Sequence, residues 1–110
     1  MEPRLKTRIV VQAALRTSTM RGIAMVVARH GDDDAGTIIL KINRRDLGCS
    51  VLVQTRTPTG ELAWLRAVAE ASDEAAADAY IARQVQRDPD LWVVEIDDRA
   101  GRSMFEGRIL

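Results

Sequence analysis

His30, Asp32 and Asp34 stand at alternate positions, and alternate residues of an extended segment project to one side. An imidazole and two carboxylates so placed could surround one divalent cation, and a metal-dependent enzyme would be built on that turn. The stretch from His30 to Gly36 is also ordinary turn chemistry, and its consecutive carboxylates, Asp32 to Asp34, suit an exposed loop. The turn reading leads, with the metal reading as its alternative, and no cofactor is expected. Cys49 and His30 could be imagined as nucleophile and base, but Cys49 opens an apolar strand with no helix N-terminus or basic neighbour beside it to stabilise a thiolate. It reads as a core thiol. Glu95 and Asp97 share a strand face and could form an acid/base pair, though they sit where that strand leaves the core, so a solvated strand end is preferred. Arg44 and Arg45 could meet phosphate, yet no basic stripe accompanies them and the aromatic residues are only Trp64, Tyr80, Trp92 and Phe105. Nucleic acid is not an expected partner. No glycine-rich phosphate loop, Ser/His/Asp ordering or Cys/His cluster is present.

Tyr80, Arg83, Gln84 and Arg87 lie three and four apart and so share one flank of a helix. Tyr with Arg on a rigid element is hot-spot chemistry for protein contacts, and this flank is the candidate interaction surface. The competing reading packs Tyr80 inward beside Ile81 and leaves the arginines to complement the helix C-terminus.

The elements that must carry these residues are legible from punctuation and periodicity. Thr7 to Arg21 reads as a helix with apolar residues at Ile9, Val10, Ala13 and Met20, with Thr7 as cap and Gly22 as stop. The alternation Ile9, Val11, Ala13, Leu15 keeps a first strand as its competitor. Ile23–Arg29 and Thr37–Ile42 read as a hairpin around the His30 turn, Cys49–Thr55 as a third strand, and Glu61–Ala67 as a fourth after the Pro58/Gly60 turn. Ser72 is the expected cap of a second helix, with Asp73 and Glu74 in its first turn. Its buried stripe is Ala77, Ile81 and Val85, and Asp88-Pro89 ends it. Leu91–Ile96 is the last strand, with Trp92, Val94 and Ile96 on one face and Leu91 and Val93 on the other, which predicts a central place in the sheet and a core role for Trp92. Met104, Phe105, Ile109 and Leu110 can pack as a short tail.

A chain of 110 residues makes one domain, 1–110, and 46% apolar with 29% charged residues is a folding composition. The longest uninterrupted apolar stretch, Ile23 to Ala28, is too short for a membrane span or a signal-peptide core. One cysteine forms no internal disulfide and fits a reducing cytoplasm. Sixteen basic residues balance sixteen acidic ones, so no overall field attracts a polyanion or a membrane. The balance hides a polarity: residues 1–30 carry six basic groups against Glu2, while residues 61–90 carry three arginines against seven acids. The two segments are expected to lie side by side and neutralise each other.

The run Asp88-Pro89-Asp90-Leu91-Trp92-Val93-Val94-Glu95-Ile96-Asp97-Asp98-Arg99, preceded by Ala79 to Gln84, resembles the C-terminal signature of a family of small bacterial proteins, domain of unknown function 1491. Arg4-Leu5-Lys6, the turn Arg29-His30-Gly31-Asp32 with Asp34-Ala35-Gly36, and Lys41-Ile42-Asn43 resemble its N-terminal half. His30 stands where the resemblance leads one to expect Arg or Lys. The resemblance implies no known activity.

The expected fold is a two-layer α+β domain, order α-β-β-β-β-α-β, with two helices on one face of a mainly antiparallel sheet of about five strands. The far face or an unprotected edge strand would then support a homodimer. The expected function is a non-catalytic interaction or ligand-binding module, with a protein or a small ligand as partner.

Overall fold

The structure, a computed structural model, describes residues 5–68 and 72–110. The first four residues and residues 69–71, including Arg4 of the family-like N-terminal motif, lie outside the described residues. Helix α1 spans Thr7–Arg21 and α2 spans Glu74–Arg87. The strands are β1 (Ala24–Arg29), β2 (Ile38–Asn43), β3 (Cys49–Arg56), β4 (Leu62–Arg66), β5 (Trp92–Asp97) and the two-residue β6 (Arg108–Ile109). They form one sheet in the order β1-β5-β2-β3-β4-β6.

The sheet is mixed, a correction to the mainly antiparallel expectation: β2 with β5 and β4 with β6 run parallel, while β1/β5, β2/β3 and β3/β4 are antiparallel. β1 and β2 do not form a hairpin, because β5 enters between them. Side-chain composition decides this. β5 is apolar on both faces at its start and needs cover on each, which the middle of the sheet provides, whereas Ala24, Val26 and Ala28 leave β1 exposed on one face and suited to an edge. The sixth strand forms where the tail returns to β4, with the Leu110 amide donating to the Trp64 carbonyl at 2.8 Å.

The helices lie on opposite faces, which overturns the two-layer expectation and makes three layers. Val11 and Ala14 of α1 pack with Ile38, Leu40, Ile42, Leu52, Trp64, Trp92, Val94 and Ile96. Ala77 of α2 packs with Ile39, Cys49, Val51 and Leu91. Because strand side chains alternate, these two sets are the two faces of β2. β2 is buried over five of its six positions, as a strand covered on both sides must be. The charged helices therefore do not neutralise each other, since α1 carries Arg8, Arg16 and Arg21 on one face and α2 carries Glu74 and Asp78 on the other, although Arg29 of the basic segment does meet the acidic one at the Pro89 carbonyl.

α1 is a helix because its hydrogen-bonding groups are met at both ends. Gly22 closes it in the left-handed region, at φ 69°, and donates to Ser18 and Thr19. At the start, the Thr7 and Arg8 amides donate to the Asp34 and Asp33 carbonyls, while the Thr7 hydroxyl reaches the Gly36 carbonyl at 2.8 Å instead of capping. The buried stripe is Thr7, Val11, Ala14 and Ser18, not Ile9, Ala13 and Met20, because small side chains let the helix approach the sheet. Met20 is 82% exposed. In α2 the cap is Asp73 rather than Ser72: the Ala76 amide donates to its carboxylate at 2.7 Å. The Ser72 carbonyl instead receives the Cys49 amide. Ala77 is fully buried, whereas Ile81 and Val85 are only half-buried.

Candidate functional site

The His30 turn is joined to the start of β5. The Asp32 amide donates to the Asp90 carbonyl at 3.0 Å, and the indole N–H of Trp92 donates to the Asp32 carbonyl at 2.7 Å. The His30 ring lies over Trp92, with centroids 4.0 Å apart, and pairs with Asp33. Arg29 reaches the Pro89 carbonyl at 2.9 Å. Gly31 and Gly36 are needed here for close approach: a Cβ on either would stand 2.2 or 2.4 Å from the Asp90 carbonyl oxygen. Two stretches that are sixty residues apart in the chain are thus one spatial unit.

That unit separates the residues that could have held a cation. The Asp32 carboxylate accepts from the amides of Asp34, at 3.2 Å, and Ala35, at 2.8 Å, as an Asx turn does. Asp34 faces Lys6 at 3.7 Å, and His30 is turned to Asp33 and Trp92. Among the described residues no group of three or more His, Cys, Asp or Glu side chains converges in a way that could hold a metal ion.

Cys49 is a buried free thiol, and burial raises its pKa, with Lys41 opposing and Glu74, Asp78 and Asp73 adding to the rise. Such a group is a poor nucleophile at neutral pH. Glu95 and Asp97 point to the α2 face, where each has a cationic neighbour: Glu95 lies 3.6 Å from Lys41, and Asp97 receives Arg45 at 3.0 Å. Arg44 donates to the Arg99 carbonyl at 3.1 Å, and Arg99 pairs with Asp46 at 2.8 Å, so the Arg44/Arg45 turn is tied to the segment after β5.

On the α2 flank, Tyr80 packs with Ile81 against the buried cluster, Gln84 is half-buried, and Arg83 and Arg87 are exposed. The aromatic ring is turned inward and the charges outward.

Two features escaped the sequence reading. Lys41 is buried within β2, and its ammonium meets Asp78 at 2.6 Å, Glu74 at 2.7 Å and Glu95 at 3.6 Å. Burial alone would lower its pKa, but the hydrogen bonds to Asp78 and Glu74 and the charges of Asp78 and Glu95 outweigh it and hold Lys41 above the ordinary lysine value. Its signal in the sequence is a single charge inside an otherwise apolar strand, answered by Glu74 and Asp78 one helical turn apart.

The second is a cleft beside α1. Its apolar half, about 330 Å³, is lined by Ile9 and Ala13 of the helix, Leu62 of β4, and Met104 and Phe105 of the tail. The tail is held there by the Trp64 indole N–H, which donates to the Glu106 carbonyl at 2.9 Å, and by edge-to-face packing of Trp64 on Phe105 at 5.4 Å. A more polar half of about 470 Å³ is lined by Thr7, Asp34, Thr37, Gln54 and Thr55, and the two halves share Leu5, Val10 and Arg56. The readable sign is Leu52, Gln54, Arg56, one strand face that turns from apolar to polar as it leaves the core.

The profile of "Protein of unknown function (DUF1491)" matches residues 5–106. The crystal structure of a DUF1491 family protein from Caulobacter crescentus CB15 superposes with a TM-score of 0.87 at 35% identity, covering 97% of this chain and 100% of that one. An NMR structure of a DUF1491 family protein from the same organism gives 0.85 at 34% identity, covering 99% of each chain. A protein from A. tumefaciens, known in solution, shares the fold with a TM-score of 0.79 at 23% identity, over 94% of this chain and 93% of that one. No curated protein matches closely enough to lend an activity. With the profile spanning nearly the whole chain and the same architecture in solved members, the chain belongs to the DUF1491 family of proteins of unknown function.

Proposed function

We propose that this chain is a non-catalytic ligand-binding module and that its ligand seat is the cleft beside α1. The observation that carries this is the placement of Ile9, Ala13, Leu62, Met104 and Phe105 along one open apolar wall, with polar groups gathered at one end. Small-molecule sites commonly have this build, an apolar lining with a few oriented polar groups in clefts of roughly 300–1,000 Å³. The buried Cys49 thiol supports residence in a reducing compartment such as the cytoplasm. Amide chemical-shift mapping against a panel of small amphiphiles tests the proposal: shifts should cluster at Ile9, Ala13 and Phe105. A saturable response to zinc, manganese or magnesium that His30→Ala abolishes would instead establish the metal-dependent enzyme.

Self-association is a second reading with its own observation. Among the described residues β1 pairs only with β5, and Val26 on it is 59% exposed, so two β1 edges could pair in a homodimer. Sedimentation should show a dimer that Val26→Glu dissociates. A protein partner would meet Arg83, Gln84 and Arg87, with Tyr80 as the packed ring beneath them.

A further inference from the structure

Resting on the ligand-binding reading, we infer that the ligand of the α1 cleft is an amphiphilic carboxylate, an acyl chain with a free acid end, its head held by Arg56 and Gln54. The two halves of the cleft differ in the way such a molecule does: Ile9, Ala13, Leu62, Met104 and Phe105 wall one, Thr7, Asp34, Thr37, Gln54 and Thr55 the other, and Arg56 lines both. Gln54 and Arg56 are alternate residues of β3 and project to the same face.

Both have donors to spare. Arg56 donates to the Gly60 carbonyl at 3.2 Å and has no carboxylate partner among the described residues. The Gln54 amide oxygen accepts from the Ile38 amide at 2.9 Å, which fixes the orientation of the side chain and leaves its NH₂ group without a protein acceptor among the described residues. Asp34, the carboxylate on the polar half, is opposed by Lys6 at 3.7 Å. The start of α1 lies on the same half, so the positive end of its dipole favours an anion there, although the Thr7 and Arg8 amides are already given to carbonyls. Glu106 borders the apolar half and offers a cationic amphiphile its competing partner. An amine-headed ligand is therefore the decisive counter-test.

The experiment titrates the full chain with decanoate, decanol and decylamine below their micelle concentrations, read by calorimetry and amide shifts. Decanoate should bind about tenfold more tightly than either of the others, the difference expected of charge-assisted hydrogen bonds. Arg56→Met should remove about that factor for decanoate and leave decanol unchanged. Ala13→Phe, at an exposed helical position, should abolish binding of both chains without lowering the melting temperature. Decylamine binding tightest, or an Arg56→Met variant with undiminished decanoate affinity, overturns the head assignment. Decanol equal to decanoate, with both lost in Ala13→Phe, overturns the carboxylate but leaves the cleft as a ligand seat. If none of the three chains binds, both readings fall.

Discussion

On the α1 face, twelve buried side chains of the described residues, among them Trp64, Trp92 and Phe105, form one continuous apolar cluster. On the α2 face the described cluster is five residues, three of them small or medium, and beside it Lys41 joins β2 to Glu74 and Asp78 of the helix. The first helix is held by apolar area, which has no charge to titrate or to be screened. The second is held in good part by charge, with Glu74 58% and Asp78 57% exposed. The comparison teaches that one sheet can carry two helices by different forces when its faces differ in composition.

The largest effect should come from the α1 face. Trp92→Ala removes a side chain that is 3% exposed and also the indole bond to Asp32, and should cost roughly 3–5 kcal/mol in chemical denaturation. A loss below about 1 kcal/mol would be that of a surface position and would break the comparison.

The α2 face should be weaker. Glu74→Gln with Asp78→Asn leaves the buried Lys41 ammonium with Glu95 at 3.6 Å. A fully buried pair costs about 3–5 kcal/mol to break; with half-exposed carboxylates about 2 kcal/mol is expected, and less in high salt. A double variant as stable as the wild type would show that apolar packing holds α2 as well.

The pH dependence separates the parts further. Lys41 has a folded pKa above its unfolded value, so its contribution is fully present below about pH 10.4 and fades as pH rises through the folded value. Denaturation at pH 9 and 11 should therefore show a loss that Lys41→Met lacks. Asp98, after β5, behaves oppositely. Its buried carboxylate accepts from the Arg102 guanidinium at 2.9 and 3.1 Å, which, against the opposing effect of burial, holds its pKa at about 2. Its contribution, about 2 kcal/mol, is present above about pH 4 and should be lost as pH falls toward 2, except in Asp98→Asn.

The smallest effect is expected on the outer flank of α2. Arg83→Ala with Arg87→Ala touches exposed side chains and should change stability by no more than about 0.5 kcal/mol per residue. A larger loss would mean that this flank supports the packing of Tyr80 beneath it.

What the residues determine by themselves is local. Gly22 and Asp88-Pro89 mark helix ends because left-handed φ and the restriction before proline are properties of single residues, whereas the cap of α2 was decided by the fold, on Asp73 and not on the expected Ser72. The double-sided apolar start of β5 requires cover on both faces, which a place between two neighbouring strands in the middle of the sheet provides. Tertiary structure decided which neighbours these are. That β5 enters between β1 and β2, that Glu74 and Asp78 meet Lys41, and that Ile9 and Ala13 face a cleft while Val11 and Ala14 face the core all depend on contacts between distant segments. The near-continuous apolar run of β2, Ile38 to Leu40 with Ile42, records that both of its faces are buried, but not which helix covers which; the same pattern serves two helices on either side, and only the packing of small residues in α1 and the ion pairs of α2 select one arrangement.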